Sequence, residues 1–297
     1  MNITETLKEA ERELAAAGVD TPAFDAKLLL AHAAGIAPRD VDMLRLLGRP
    51  LPESFDADAY HAMIARRAAR EPLQHITGHA PFRYLDVEVG PGVFIPRPET
   101  ETVVQAGIDW LAGRHIADPR IVDLCAGSGV IGLSAAVEVA GSEVWAVELS
   151  EPTHAWTERN RRRVVADHPD VGERYHLVLG DATAPETLRD LDGTIDLVIS
   201  NPPYVPESEI PEQPEVRDHD PELALYGGSA DGLRIPERII DRAATLLRDG
   251  GALVMEHDIS QGAALRAYAA ARGFADPRTG DDLTGRPRYL FAVKAGI

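Results

Sequence analysis

At 297 residues and 44% hydrophobic composition, the chain is long enough for one large domain or two ordinary ones, with ample apolar side chain for a core. Its net charge is −18, and residues 1–90 carry 10 of the 30 basic and 14 of the 48 acidic residues. Neither part therefore has the positive footprint of a direct DNA or RNA binder, whereas a basic protein partner is favoured. The best apolar run, Leu28 to Ala37, is shorter than the ~18 residues of a membrane helix, no signal peptide is recognisable, and the single Cys125 fits a reducing bacterial cytoplasm.

Residues 2–17 read as an amphipathic helix, with Ile3, Leu7, Ala10 and Leu14 at helical spacing and Gly18 as its stop. Thr21-Pro22 restarts a helix that ends near Gly35, a third follows Pro38, and a fourth runs from about Asp56 to Arg70. These make a small helical domain, residues 1–72, without chemistry of its own. From Leu73 to Phe94 alternating apolar residues broken by glycine and proline predict a β-hairpin connector. His75 and His79 lie within it, but with no third ligand a metal site is not expected. Ile95-Pro96-Arg97-Pro98-Glu99-Thr100-Glu101 then reads either as a capped helix start or as a stiff lip over a neighbouring site.

Strands alternating with helices follow: Ile121–Leu124, Glu143–Glu148, Tyr175–Leu179, Ile195–Ser200, Leu253–Glu256 and Tyr289–Val293. That order predicts an α/β doubly wound sheet with right-handed crossovers. The stretch 205–222 holds Glu207, Glu209, Glu212, Glu215, Asp218, Asp220 and Glu222 against one Arg217, and reads as a solvated loop suited to a basic partner.

Gly127-Ser128-Gly129-Val130-Ile131-Gly132 opens a helix after the first strand and matches the dinucleotide pattern G-x-G-x-x-G, which alone admits a nicotinamide enzyme. Three features point instead to S-adenosylmethionine. Asp123 stands before the glycines, where it is expected to face a methionine amino group. Asp181 ends the third strand, near an adenine; Glu148, ending the second and placed for both ribose hydroxyls, fits either reading. The fourth strand ends in Asn201-Pro202-Pro203-Tyr204. Asn-Pro also starts ordinary turns, yet two prolines at a strand's carboxyl end make a rigid pair of acceptors, the Asn201 side-chain oxygen and the Pro202 carbonyl. Such a pair suits a planar –NH2 group, with Tyr204 placed to cover its face.

The run Asp123-Leu124-Cys125-Ala126-Gly127-Ser128-Gly129, the acid Glu148 and Asn201-Pro202-Pro203-Tyr204 together resemble class I amino-methyltransferases. More narrowly, Phe94 to Glu101, the helical N-terminal domain, Gly227-Gly228 with Asp231-Gly232-Leu233, and Glu256-His257 resemble the protein-(glutamine-N5) methyltransferases of peptide-chain release factors, essentially end to end. Ala182 departs from this pattern, since some members carry a bulky aromatic there.

The resemblance implies a Rossmann-like, seven-stranded, mainly parallel sheet over residues 96–297, a connector at 73–95, and a helical substrate-recognition domain at 1–72. It implies S-adenosylmethionine as methyl donor, S-adenosylhomocysteine as product, and the glutamine of a class 1 release factor's Gly-Gly-Gln motif as acceptor. Cofactor contacts fall on Asp123, Cys125, Ala126, Gly127, Ser128, Gly129, Glu148, Asp181, Ala182 and Asn201. Substrate contacts fall on Arg97, Glu99 and Asn201 to Tyr204, with Asn201, Pro202 and Tyr204 carrying catalysis. A monomeric cytoplasmic enzyme using no metal is expected. The rival readings are an adenine-N6 methyltransferase of DNA or RNA, which the acidic charge opposes, and a non-catalytic binding module, which the intact Asn201 and glycine loop oppose.

Overall fold

The computed structural model describes residues 3–296, which divide into two compact units. The first holds the chain up to His79 together with Pro211–His219. It comprises α1 (Ile3–Ala16), α2 (Pro22–Ala34), α3 (Pro38–Leu46), α4 (Ala57–Ala68) and the short α5 (Leu73–Thr77). Proline opens α2 and α3, where its missing N–H costs nothing, and Gly35 ends α2 in the left-handed region at φ 65°. Leu14, Leu29, Leu30, Val41, Tyr60 and Ile64 fill the core. Leu73–Thr77 was expected to be strand; Pro72 presets the backbone and Gly78 at φ 78° closes a single helical turn instead.

An ion cluster, buried at Arg67 and Asp25 and half-buried at Arg70 and Glu215, pins this unit. Arg67 donates to Asp25 through Nε at 2.8 Å and to Glu215 through Nη1 at 2.8 Å, and Arg70 donates twice to Glu215 at 2.7 Å. Burial pushes Glu215 up, but hydrogen bonds from Arg70 and Arg67 outweigh it and hold the carboxyl down at about 2. The acid-rich stretch is thus not one solvated loop. Glu215 is consumed here, Asp218 pairs with Arg217, and Asp220, in the other unit, pairs with Arg97.

The second unit begins with the hairpin β1 (His79–Phe82) and β2 (Leu85–Glu88). It continues as α6 (Pro98–Arg114), β3 (Arg120–Leu124), α7 (Val130–Glu138), β4 (Glu143–Glu148), α8 (Glu151–Asp167), α9 (Val171–Arg174), β5 (Tyr175–Leu179) and β6 (Ile195–Ser200). After α10 (Pro214–Arg217), which belongs to the first unit, come α11 (Glu222–Leu225), α12 (Arg234–Leu246), β7 (Leu247–Glu256), α13 (Gly262–Ala271), β8 (Phe274–Asp281) and β9 (Pro287–Lys294).

The seven-stranded sheet runs β5-β4-β3-β6-β7-β9-β8, parallel except at β9. Residues of alternating parity on β3, β6 and β7 face opposite layers. Ile121, Leu197, Ile199 and Val254 pack under α6 and α7, while Val122, Val198, Leu253 and Met255 pack under α12 and α13. All six residues of β6 are buried, as expected of a central strand covered on both faces. The chain winds outward from β3 to β5, then returns to β6, so the order reverses between β3 and β6. In open α/β sheets ligands bind at the carboxyl end of that reversal.

Among the described residues no helix is long and apolar enough to cross a membrane, and no group of three or more His, Cys, Asp or Glu side chains is placed to hold a metal ion.

Candidate methyl-transfer site

The carboxyl ends of β3 and β6 are locked side by side. Leu124 pairs with Ser200, whose hydroxyl donates to the Leu124 carbonyl at 2.6 Å. The glycine loop leaving β3 and the tetrapeptide leaving β6 therefore start from adjacent points. Between them opens a cavity of about 450 Å³, within the range of small-molecule sites. Of the residues expected at the site, Cys125, Ala126, Gly127, Ser128, Glu148, Asp181, Ala182, Asn201 and Pro203 line it. Gly92, Phe94, Pro96 and Thr100 form another wall, so the proline lip exists.

The loop is bent by positive φ at Cys125 (69°), Gly127 (59°) and Gly129 (89°). A side chain at Gly129 would meet Thr157 Cγ2 at 2.8 Å, whereas nothing lies within 4 Å of one built at Gly127. Open space over Gly127 is the close backbone approach that a ligand needs. Glu148 braces the loop: its carboxylate accepts from the N–H groups of Gly127 at 2.9 Å and Ser150 at 2.8 Å. Burial raises its pKa against those bonds. Two backbone donors leave the carboxylate further acceptor sites facing the cavity. Asp181 accepts from the Thr183 N–H at 2.8 Å and hydroxyl at 2.7 Å, which fixes the end of β5. Burial, then the nearby charges of Glu148 and Asp123, push the Cys125 thiol up, so it is no thiolate nucleophile.

Six expected residues do not line the cavity: Arg97, Glu99, Asp123, Gly129, Pro202 and Tyr204. Asp123, expected to face a cofactor amino group, is fully buried behind the loop, where Oδ2 accepts from the Gly132 N–H at 2.9 Å. The third glycine is what lets that carboxylate come so close, since a Cβ there would sit 3.1 Å from Oδ2. Burial pushes Asp123 up to about 7 despite that bond. Between an unfolded value near 4 and about 7 the folded chain holds a proton that the unfolded chain releases, so stability falls as pH rises through that window. Asp123→Asn removes this term: its melting temperature relative to wild type rises from pH 4 to pH 8. A pH-independent difference would show that Asp123 is ionised throughout.

Arg97 pairs with Asp220 and lies over the Phe94 ring at 4.8 Å, so it shapes the lip from behind while Phe94 and Pro96 face the cavity. Tyr204, expected over a substrate plane, instead donates its hydroxyl to Glu256 Oε1 at 3.0 Å. Its carbonyl accepts from Gln261 Nε2 at 2.8 Å. Gly232 packs so tightly on that carbonyl that a Cβ would lie 2.1 Å from it.

Two residues outside the expected set complete the tetrapeptide's surroundings. Thr100, buried at the start of α6, donates to Glu256 Oε2 at 2.7 Å, and Asn201 Nδ2 donates to Thr100 Oγ1 at 3.3 Å. Glu256 ends β7 fully buried; burial raises its pKa, and hydrogen bonds from Thr100 and Tyr204 oppose that. An acid ending an apolar run is the signal that marks Glu148, and it was available at Ala252–Glu256 as well.

The PrmC N-terminal domain family matches residues 5–78, and a family described as Conserved hypothetical protein 95 matches residues 73–217. A release factor glutamine methyltransferase of Bifidobacterium longum is 61% identical, covering 99% of this chain and all of that one. Its counterpart in Streptomyces coelicolor is 47% identical over 97% of this chain and 96% of its own. A 4-amino-L-phenylalanine/4-methylamino-L-phenylalanine methyltransferase of Streptomyces pristinaespiralis is 37% identical over 91% of this chain and 88% of its own. A methyltransferase structure from Pyrococcus furiosus superposes with a TM-score of 0.51 at 17% identity, covering 80% of this chain and 98% of that one, a likeness of fold alone.

Fold and relatives together define an S-adenosylmethionine-dependent methyltransferase with a Rossmann-like sheet. Within that class, the chain belongs to the release factor glutamine methyltransferase family.

Proposed function

We propose that this chain methylates the side-chain amide nitrogen (N5) of a glutamine in a class 1 peptide-chain release factor, in the cytoplasm and as a monomer, with S-adenosylmethionine as donor. The observation that carries the reading is Asn201. Its amide is held at the cavity wall with Nδ2 engaged by Thr100, which leaves Oδ1 to accept. The near full-length relatives of that name support the choice of acceptor.

The residues present fit the donor: open space over Gly127, the Glu148 carboxylate at the wall, and Asp181-Ala182 just after β5. When bound, S-adenosylmethionine supplies a methyl group on a cationic sulfur. Glu148 would accept from the ribose hydroxyls, and the backbone of Gly127 and Ser128 would approach the ligand. Glu148→Ala removes a carboxylate that also braces two loop N–H groups. With charged hydrogen bonds contributing about 1.5–3 kcal/mol each, cofactor affinity falls by at least tenfold in calorimetry. Unchanged affinity would remove Glu148 from the site.

A side-chain amide nitrogen is a poor nucleophile because its lone pair is shared with the carbonyl. Asn201 Oδ1 accepts one of its N–H bonds. Pro202 itself is off the cavity wall, but its carbonyl lies in the backbone between the lining residues Asn201 and Pro203, takes no hydrogen bond from the described residues, and accepts the other. Both bonds strengthen as the nitrogen gains positive charge, which favours the transition state over the ground state. Fixed orientation supplies much of the remainder, up to roughly 7–11 kcal/mol. The helical unit and the exposed Glu207, Glu209 and Glu212 are proposed to bind the protein substrate.

The test offers methyl-labelled S-adenosylmethionine with unmodified release factor and, in parallel, with DNA, RNA and 4-aminophenylalanine. Label on the release factor glutamine, located by mass spectrometry, is the expected result. Label on nucleic acid or the small amine alone overturns the reading.

A further inference from the structure

The hydrogen-bond chain behind Asn201 has a direction, and that direction fixes which atom of the side chain faces the cavity. Both carboxyl oxygens of Glu256 serve as acceptors. Thr100 Oγ1 donates to one at 2.7 Å and the Tyr204 hydroxyl donates to the other at 3.0 Å. The single hydroxyl proton of Thr100 is thereby committed, so toward Asn201 its oxygen presents only lone pairs. Asn201 answers with Nδ2 at 3.3 Å. A flipped amide would set oxygen against oxygen.

We infer that Glu256 and Thr100 are positioning residues that polarise Asn201, so that its carbonyl oxygen and not its –NH2 meets the substrate nitrogen. Glu256 also holds Tyr204 through the second oxygen, so one buried carboxylate clamps both ends of the tetrapeptide. Thr100 and Asn201 both line the cavity, whereas Glu256 does not, and it acts only through them. All three side chains belong to the same compact unit. The inference rests on the acceptor role given to Asn201 above, since a donor there would need the opposite orientation.

Thr100→Val keeps shape and removes the hydroxyl. It lowers kcat for release factor by roughly a hundredfold, the order that a misplacement of about 1 Å costs. The KM for release factor and the calorimetric cofactor affinity stay close to wild type. Thr100→Ser, which restores the hydroxyl, recovers most of the rate. Glu256→Gln falls between them, because its amide accepts from Thr100 only when its –NH2 is turned to Tyr204. Wild-type kcat in Thr100→Val, equal losses in Thr100→Ser and Thr100→Val, or a matching loss of cofactor affinity each overturns the inference.

A second measurement needs no substrate. In free protein labelled with 15N, the Asn201 side-chain –NH2 protons are protected from solvent exchange in wild type and Thr100→Ser and lose that protection in Thr100→Val. Equal protection in all three overturns the relay. If wild type fails to methylate release factor while the exchange pattern holds, the substrate assignment falls and the oriented amide stands.

Discussion

Asn201→Ala binds cofactor as wild type does and loses methyl transfer by about 10²–10³-fold, the scale on which removing one preorganised charge-stabilising hydrogen bond acts. Cofactor binding survives because the glycine loop and Glu148 take no support from Asn201. Asn201→Asp is more informative. It keeps an acceptor but replaces the Nδ2 donor with a second oxygen facing Thr100, whose proton is already given to Glu256. The new carboxylate would meet lone pairs and lie near another buried acid, with desolvation added. A substantial loss of rate is therefore expected here too. Single-turnover transfer from bound cofactor reads both variants. Near-wild-type transfer by Asn201→Ala would reduce the tetrapeptide to a turn.

Arg67→Ala destabilises the helical unit by about 3–5 kcal/mol, the cost of leaving buried charges without their partner. Arg67 is the shared donor of Asp25 and Glu215, each at 2.8 Å. Removing it strands the nearly fully buried Asp25 carboxylate. Arg67→Met, which keeps most of the volume, still loses most of this, so the effect is electrostatic rather than a cavity. Chemical denaturation followed by helical circular dichroism measures it, and a loss below about 1 kcal/mol would place the cluster among weak surface pairs. The depressed Glu215 carboxyl adds a pH signature. Its contribution is present above the unfolded value near 4.5 and is lost as pH falls toward about 2. Glu215→Gln flattens the acid limb in that interval.

The sheet and much of the site were legible because they depend on local pattern. Ile195–Ser200 is mostly apolar and buried at every position, as a strand covered on both faces is, while Glu148 ends β4 and Asp181 and Asn201 follow β5 and β6 closely. Strand β8 was hidden: Pro277 and Gly280 interrupt it, and as an edge strand it tolerates both, with irregular register beside β9. The contact between Thr100 and Glu256 was hidden for a different reason. Their bond spans 156 positions, and no periodicity encodes a contact across that distance. For Asp123, proximity to the glycines does not say which side of the loop a carboxylate faces. The buried face won, since the Gly132 N–H needed an acceptor there.

The membership of Pro211–His219 in the helical unit sets a schedule for synthesis. The chain of that unit up to His79 leaves the ribosome as one block, but the carboxylate bridging Arg67 and Arg70 is encoded roughly 130 residues later. At about 5–20 residues per second the interval is roughly 7–26 s. For that time the five helices exist without their closing segment, while β3 to β6 are made. Completion of the first unit therefore comes after the second has most of its parallel strands, and a ribosome stalled before Pro211 carries an unfinished helical unit however long it waits.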